Sequence, residues 1–472
     1  MGRTNTGFAD AQFVLFLQCL SRDITVFVHI AGKIYIRNRQ EGRGINQMNG
    51  IEVVGLLLLL LALSVPLSVS MGIAGITYIV IAGIPLSVIA HRMGNAVNSF
   101  PLLAVPVFIF AGGLMNTSGI TTRIFDFAKL LIGPIRGGLA QVNVIASLIF
   151  SGISGAALAD IGGLGQIEIK AMEEQGYKSE LAAAITAASA TIGPIFPPSI
   201  PLIIYGTVAE VSGVKLLIAG VVPGLLITFL LMLQIGYFAR KYNFPTGSRA
   251  FKVKEVFHAF RNALPALLAP VILIGGLLSG FFSPTEVAAV TVFYGLILGK
   301  FIYKELTWQQ LAEVGRQSIR QTANIMFIIS SAAIFAFALT VEQVPVQMTD
   351  MLLGISKNPV VLLLIVNVLL LVVGMIMETI AAILVLTPLL VPALSQAGVD
   401  PIHLGIVMVL NLMIGLLTPP VGMSLYMVSI VSETPVEKVI RAILPYFLPL
   451  ILSLIIVTLL PMISTWLPGL LY

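Results

Sequence analysis

Sliding this sequence along itself by 222 residues brings its backbone-special residues into register. Gly152 falls on Gly374, Gly176 on Gly398 and Gly193 on Gly415, while Pro197, Pro198 and Pro223 fall on Pro419, Pro420 and Pro445. Six glycine and proline matches over 72 positions without a gap identify two homologous halves. The segment IGPIFPP (192–198) therefore has a twin, IGLLTPP (414–420). Proline lacks an N–H and clashes with the preceding turn, so no helix runs unbroken through either segment.

The medium gives that break its meaning. The chain is 58% hydrophobic and only 10% charged, whereas a soluble domain carries about a quarter charged residues. Apolar runs such as 53–85 and 264–282 reach the roughly 20 residues that a bilayer crossing needs. The fold class that follows is an all-α polytopic membrane protein set in a lipid bilayer. Its net charge of +5 is loop bias and not nucleic-acid affinity, because the basic residues cluster between apolar runs. A single cysteine, Cys19, excludes an internal disulfide and a cysteine metal site, and the four histidines show no ligand spacing.

Residues 1–47 read differently. Their apolar stretches are split by Ser21-Arg22-Asp23 and are too short to span, and they lack the order of a cleaved signal. They form an N-terminal extension, interfacial or disordered, or else translation starts at Met48.

The remainder divides into a first repeat (48–239), a basic linker (240–262) and a second repeat (263–472). In each repeat a small-residue tip, SGISGAALAD (151–160) or GMIMET (374–379), sits between apolar runs of a length that suits a re-entrant hairpin. The hairpins are expected at 138–173 and 359–396, and the broken helices at 178–212 and 401–432. The linker carries Arg240, Lys241, Arg249, Lys252, Lys254 and Arg261 against Glu255, which assigns it to the cytoplasm. Counting crossings outward from it, with the amphipathic stretch 305–321 on the inner surface, opens the hairpins from opposite faces. The two repeats are thus expected to be inverted.

Unpaired backbone inside a bilayer survives only where protein or a water-lined cavity satisfies it. Paired broken helices in corresponding positions of two halves are the sequence mark of a transporter's binding site. Carbonyl and hydroxyl oxygens suit a small hard cation, and half-helix N-termini suit an anion. The first pairing offers the hydroxyls of Ser151 and Ser154 with the backbone of Gly193, Phe196 and Pro198. The second offers Gly374 with Gly415, Thr418 and Val421. Two sodium sites follow, with an anion between the tips; Ser154, Asn411 and Asp160 are the candidates to meet it. Asp160 and Glu378 are the acids nearest the tips, open to proton coupling, cation binding or a cap on the tip, with the cap favoured. Glu168, Glu173, Glu174 and Glu180 read as interfacial.

These stretches resemble the large membrane subunit of tripartite ATP-independent periplasmic (TRAP) transporters. The resemblance runs from about residue 50 to the C-terminus. It rests on SFPLLAVPVFIFAGGLMNTSGIT (99–121), SGISGAALADIGGLGQIEIKAM (151–172), IGPIFPPSIPLIIYG (192–206), GFFSPTE (280–286) and IGLLTPPVG (414–422). It implies an elevator-type member of the ion-transporter superfamily in the bacterial inner membrane, driven by sodium as coupling ion and without a cofactor. It also implies two partners, a small four-helix membrane subunit and a periplasmic substrate-binding protein. The delivered substrate is an organic anion: a C4-dicarboxylate, sialic acid or another sugar acid. The same hairpin serines and break residues carry over as the family's sodium ligands. Ala156 departs from the family pattern, which often has a second small hydroxyl there, and the extension lacks the four helices of a fused small subunit. A stand-alone sodium/dicarboxylate symporter is the alternative. An intramembrane enzyme is disfavoured by the absence of an HExxH motif or a paired acid within one half, and a passive channel by the paired inverted breaks.

Overall fold

The computed structural model describes residues 48–132, 135–155, 157–246 and 253–472, without the side chains of 151–154 and 253–256. The extension 1–47, most of the loop within the basic linker and Ala156 lie outside the described residues. The described chain is helical, its one strand-like feature being an isolated bridge between Arg136 and Thr246. Eight helical stretches among the described residues are long and apolar enough to cross a membrane.

Two compact units emerge, and they cut across the sequence halves. The first comprises residues 48–96 with 329–344, and the second comprises 97–328 with 345–472. In the first unit lie α1 (Gly50–Ala62), α2 (Leu67–Ile81) and α3 (Ser87–Val97). Helix α1 starts on a capping box in which Asn49 N–H donates to the Glu52 carboxylate at 3.0 Å. Tyr78 Oη donates to Glu342 at 2.6 Å, and Gly75 lets α2 lie against the backbone of Phe335.

The second unit continues with α4 (Ala104–Thr117), α5 (Ile120–Ile132), α6 (Gly138–Ser154), α7 (Ala157–Gly162) and α8 (Leu164–Glu174). Next come α9 (Ser179–Ser189), α10 (Ile200–Val208), α11 (Gly213–Ala219), α12 (Val221–Lys241), α13 (Val253–Leu278) and α14 (Pro284–Ile297). Helix α15 (Trp308–Val341) ends in the first unit. The chain closes with α16 (Val344–Ile355), α17 (Pro359–Ile376), α18 (Thr379–Gln396), α19 (Pro401–Gly415), α20 (Met423–Val431), α21 (Val436–Ile443), α22 (Phe447–Leu459) and α23 (Met462–Leu471).

Two features of this order bear on the site. First, 305–321 is not a separate surface helix: α15 starts at Trp308 within it and runs on unbroken to Val341, 34 residues in all. No proline interrupts that stretch, so the helix has no reason to stop. Second, Gly176 and Gly398 play the same part 222 residues apart. Both take a left-handed φ (+91° and +88°), and the next N–H closes back onto the helix, Tyr177 to Met172 O and Val399 to Leu394 O. That is the Schellman stop, in which the left-handed residue is best a glycine. It turns α8 towards α9 and α18 towards α19.

Packing between the halves of the second unit is reciprocal. Helix α7 of the first half packs on α20 of the second, and α18 of the second packs on α10 of the first. Tyr205 Oη donates to Pro401 O at 2.7 Å across the α10–α19 seam.

Candidate functional site: two broken helices capped by hairpin tips

The breaks follow from where the prolines stand. In a helix the carbonyl of residue i accepts from the N–H of i+4. Pro197 and Pro198 remove the donors due to Gly193 and Pro194; Pro419 and Pro420 remove those due to Gly415 and Leu416. The structure reroutes some of these carbonyls. Ser199 Oγ donates to Pro194 O and also accepts from Leu202 N–H, which starts α10. In the second half Gly415 O accepts from Thr418 N–H at 2.8 Å and Leu416 O from Ser424 N–H at 3.2 Å. In both halves the two prolines are joined by a cis peptide bond.

Around the first break every residue from Ala190 to Tyr205 is buried. Glycines let the surroundings close on it. A Cβ on Gly220 would lie 2.0 Å from Ile195 O, and one on Gly224 would lie 3.0 Å from Phe196 Cβ, so α12 presses on the break from behind. From the front comes the α6–α7 tip, where a Cβ on Gly155 would lie 2.6 Å from Pro198 O. Asp160 stands over Gly193, its Oδ2 only 2.5 Å from where a Cβ would be. The tip thus meets Gly193 and Pro198, two of the residues expected at the first site. Helical backbone extends through Ser151 and Ser154, whose side chains lie outside the description.

The second break repeats the approach more openly. Gly374 at the end of α17 and Gly415 at the end of α19 meet backbone to backbone: a Cβ on Gly415 would lie 2.6 Å from Gly374 Cα. Gly422 N–H donates to Met375 O at 3.3 Å, tying the far side of the break to the same tip. Thr418 Oγ1 donates to Ile414 O at 2.8 Å and is half-buried, while Val421 is exposed. Gly374, Gly415 and the Thr418 region are therefore brought together, with Val421 at the rim.

The acids divide. Glu378 is the N-cap of α18, its carboxylate accepting from Ala381 N–H at 3.2 Å, which is the capping role favoured from sequence. Glu168 is not interfacial: it is 1% exposed, and among the described residues its Oε1 accepts no hydrogen bond. Residues 165, 168 and 172 share a helix face. Gly165 lies against Thr186 and Met172 against Asn143, so that face turns into the α6–α9 seam. Asn411 lies in a comparable seam, one turn before Gly415, bonded to Asn367 and to Val407 O. Asn143 and Asn367 were missed from sequence, although an amide in an apolar helix needs partners and marks itself by that need.

Among the described residues no group of three His, Cys, Asp or Glu side chains could hold a metal ion. What the two breaks offer instead is backbone carbonyl and hydroxyl oxygen at helix ends, a donor set for a small hard cation.

The family model described as the DctM component of the tripartite ATP-independent periplasmic transporter matches residues 54–463. The chain is 46% identical over 381 residues to the sialic acid TRAP transporter large permease protein SiaM of Vibrio cholerae serotype O1, covering 81% of this chain and 89% of that one. It is 40% identical over 401 residues to the C4-dicarboxylate TRAP transporter large permease protein DctM of Pseudomonas aeruginosa, covering 85% and 94%. In fold it is similar to the crystal structure of the Alcanivorax borkumensis YdaH transporter, with a TM-score of 0.60 at 18% identity over 88% of this chain and 98% of that one. The chain is a member of the TRAP transporter family, a DctM-type large permease that is polytopic in the membrane.

Proposed function

We propose that this permease imports an organic anion across the bacterial inner membrane, drawing on a sodium gradient. The reading rests above all on the two helix breaks, each closed by a hairpin tip that approaches to backbone contact. Oxygen ligands at each break would take sodium, and the half-helix N-termini of α10 and α20 favour an anion between the tips. Binding of the cations stiffens the tips against the breaks and completes the anion site, which couples the two cargoes. The hairpins and broken helices then move together as an elevator. Among anions, a sialic acid or a related sugar acid comes first, because the SiaM relative is more similar than the C4-dicarboxylate one. A small four-helix subunit and a periplasmic binding protein complete the system.

The test is uptake into liposomes holding this chain and the small subunit, with labelled sialic acid, a labelled C4-dicarboxylate and the cognate binding protein. Accumulation is expected only with an inward sodium gradient and with binding protein present. Equal accumulation under a potassium gradient would overturn sodium coupling. Full uptake without binding protein would establish a stand-alone symporter instead.

A further inference from the structure

Buried side-chain amides tie each hairpin to its broken helix at one and the same level. In the first half, Asn143 on α6 and Ser189 on α9 are both fully buried. Ser189 Oγ donates to Asn143 Oδ1 at 2.6 Å, Asn143 Nδ2 donates to Thr186 Oγ1 at 2.7 Å, and Ser147 Oγ donates to Ser189 Oγ at 3.0 Å. In the second half, Asn411 Nδ2 on α19 donates to Asn367 Oδ1 on α17 at 2.9 Å, and Asn367 Nδ2 donates on to Thr458 Oγ1 at 2.9 Å. Ser189 and Asn411 are 222 residues apart, and each stands four residues before its break glycine, Gly193 or Gly415. The hairpin partner differs: Asn143 is 11 residues before the end of its arm and Asn367 is 9. The side chains are therefore not simple repeats of one another, yet the same pair of elements is joined at the same turn.

We propose that these two pins, Asn143–Ser189 and Asn367–Asn411, are positioning residues for the cation sites. Each fixes its hairpin arm one helical turn below the break glycine, and so fixes how closely the tip stands to the break. The inference rests on the sodium reading above. The physical argument is preorganisation: a carbonyl cage binds a small ion well only when its oxygens are already placed. Apolar side chains in the same seam let the arm slide by fractions of an ångström, whereas a buried amide hydrogen-bonded to a polar partner across the seam holds the two helices in one register. Each pin acts at its own site, since the two sets of bonds share no residue.

The experiment measures uptake in the reconstituted three-component system as a function of sodium, for wild type, Asn367→Leu and Asn143→Leu. Each variant should raise the sodium concentration for half-maximal uptake about tenfold. The maximal rate and the anion KM at saturating sodium should stay within about twofold. Asn367→Ser, which keeps a hydroxyl within the seam, should recover part of the shift. If Asn367→Leu does not fold in detergent, Ser189→Ala removes the Ser189–Asn143 bond while Asn143 stays tied to Thr186, and it should raise the sodium half-saturation by a smaller factor in the same readout. A merely structural role would lower the maximal rate or the yield with unchanged sodium half-saturation, and that result would overturn the proposal. A wild-type curve flat in sodium would overturn the sodium reading and the pins with it. A steep wild-type curve that the variants share would overturn the pins alone.

Discussion

Gly415 and Gly374 have no room for a methyl group in their backbone-to-backbone contact. Neither neighbour is the end of a flexible side chain: the Cβ of a residue at 415 would face Gly374 Cα and carbonyl carbon at 2.6 and 2.7 Å. Relief requires moving α17 away from α19, and such overpacking costs about 1–3 kcal/mol. Gly415→Ala should therefore lower the melting temperature in detergent and reduce sodium-dependent uptake at least tenfold. Gly55→Ala is the control. Nothing lies within 4 Å of its Cβ position in α1, so it should leave uptake unchanged and add up to about 1 kcal/mol through helix propensity. Equal behaviour of the two variants would remove the close approach as a functional constraint. The glycines at this contact were legible in sequence because a repeat keeps them in register; the contact between them was not, since nothing local says which glycines meet.

At the scale of the element, Glu378 decides between chemistry and capping. It accepts from Ala381 N–H at the start of α18, in the second arm of the second hairpin. A cap needs an acceptor oxygen and not a titrating proton, so Glu378→Gln should keep more than half of wild-type uptake. Glu378→Ala should lose about 1 kcal/mol of stability, the usual cost of a missing N-cap. An inactive but well-folded Glu378→Gln would instead make the carboxylate part of the coupling chemistry. The elements themselves were unevenly visible. Both breaks were readable because a pair of prolines removes donors at known positions, whatever surrounds them. The unbroken course of α15 was not, because polar and charged side chains mark a solvated face without marking an end. Glu168 was misplaced for a related reason: its burial comes from the way α8 lies against α9, a tertiary fact that composition does not carry.

For the whole molecule, the compact units and the sequence halves are different partitions. The hairpins and broken helices of both halves lie in the second unit, and α1, α2 and α3 stand with the end of α15 in the first. Two homologous halves that each place a hairpin on a broken helix can be arranged in parallel or inverted. Parallel repeats would set both hairpin openings on one face of the membrane; inverted repeats set them on opposite faces. Charge favours inversion, because the linker 240–262 is strongly basic while the turn before α17 holds only Lys357 between Ile355 and Pro359. The distinguishing measurement replaces Cys19 by serine and introduces Ala250→Cys or Ser356→Cys singly. A membrane-impermeant maleimide applied to intact spheroplasts should label position 356, while position 250 should react only after permeabilisation. Labelling of both from the same side would rule out inversion, and with it the pseudo-twofold on which the proposed pair of cation sites rests. Opposite labelling leaves a single arrangement: each hairpin dips in from its own face, as the proposed anion site between the two tips requires.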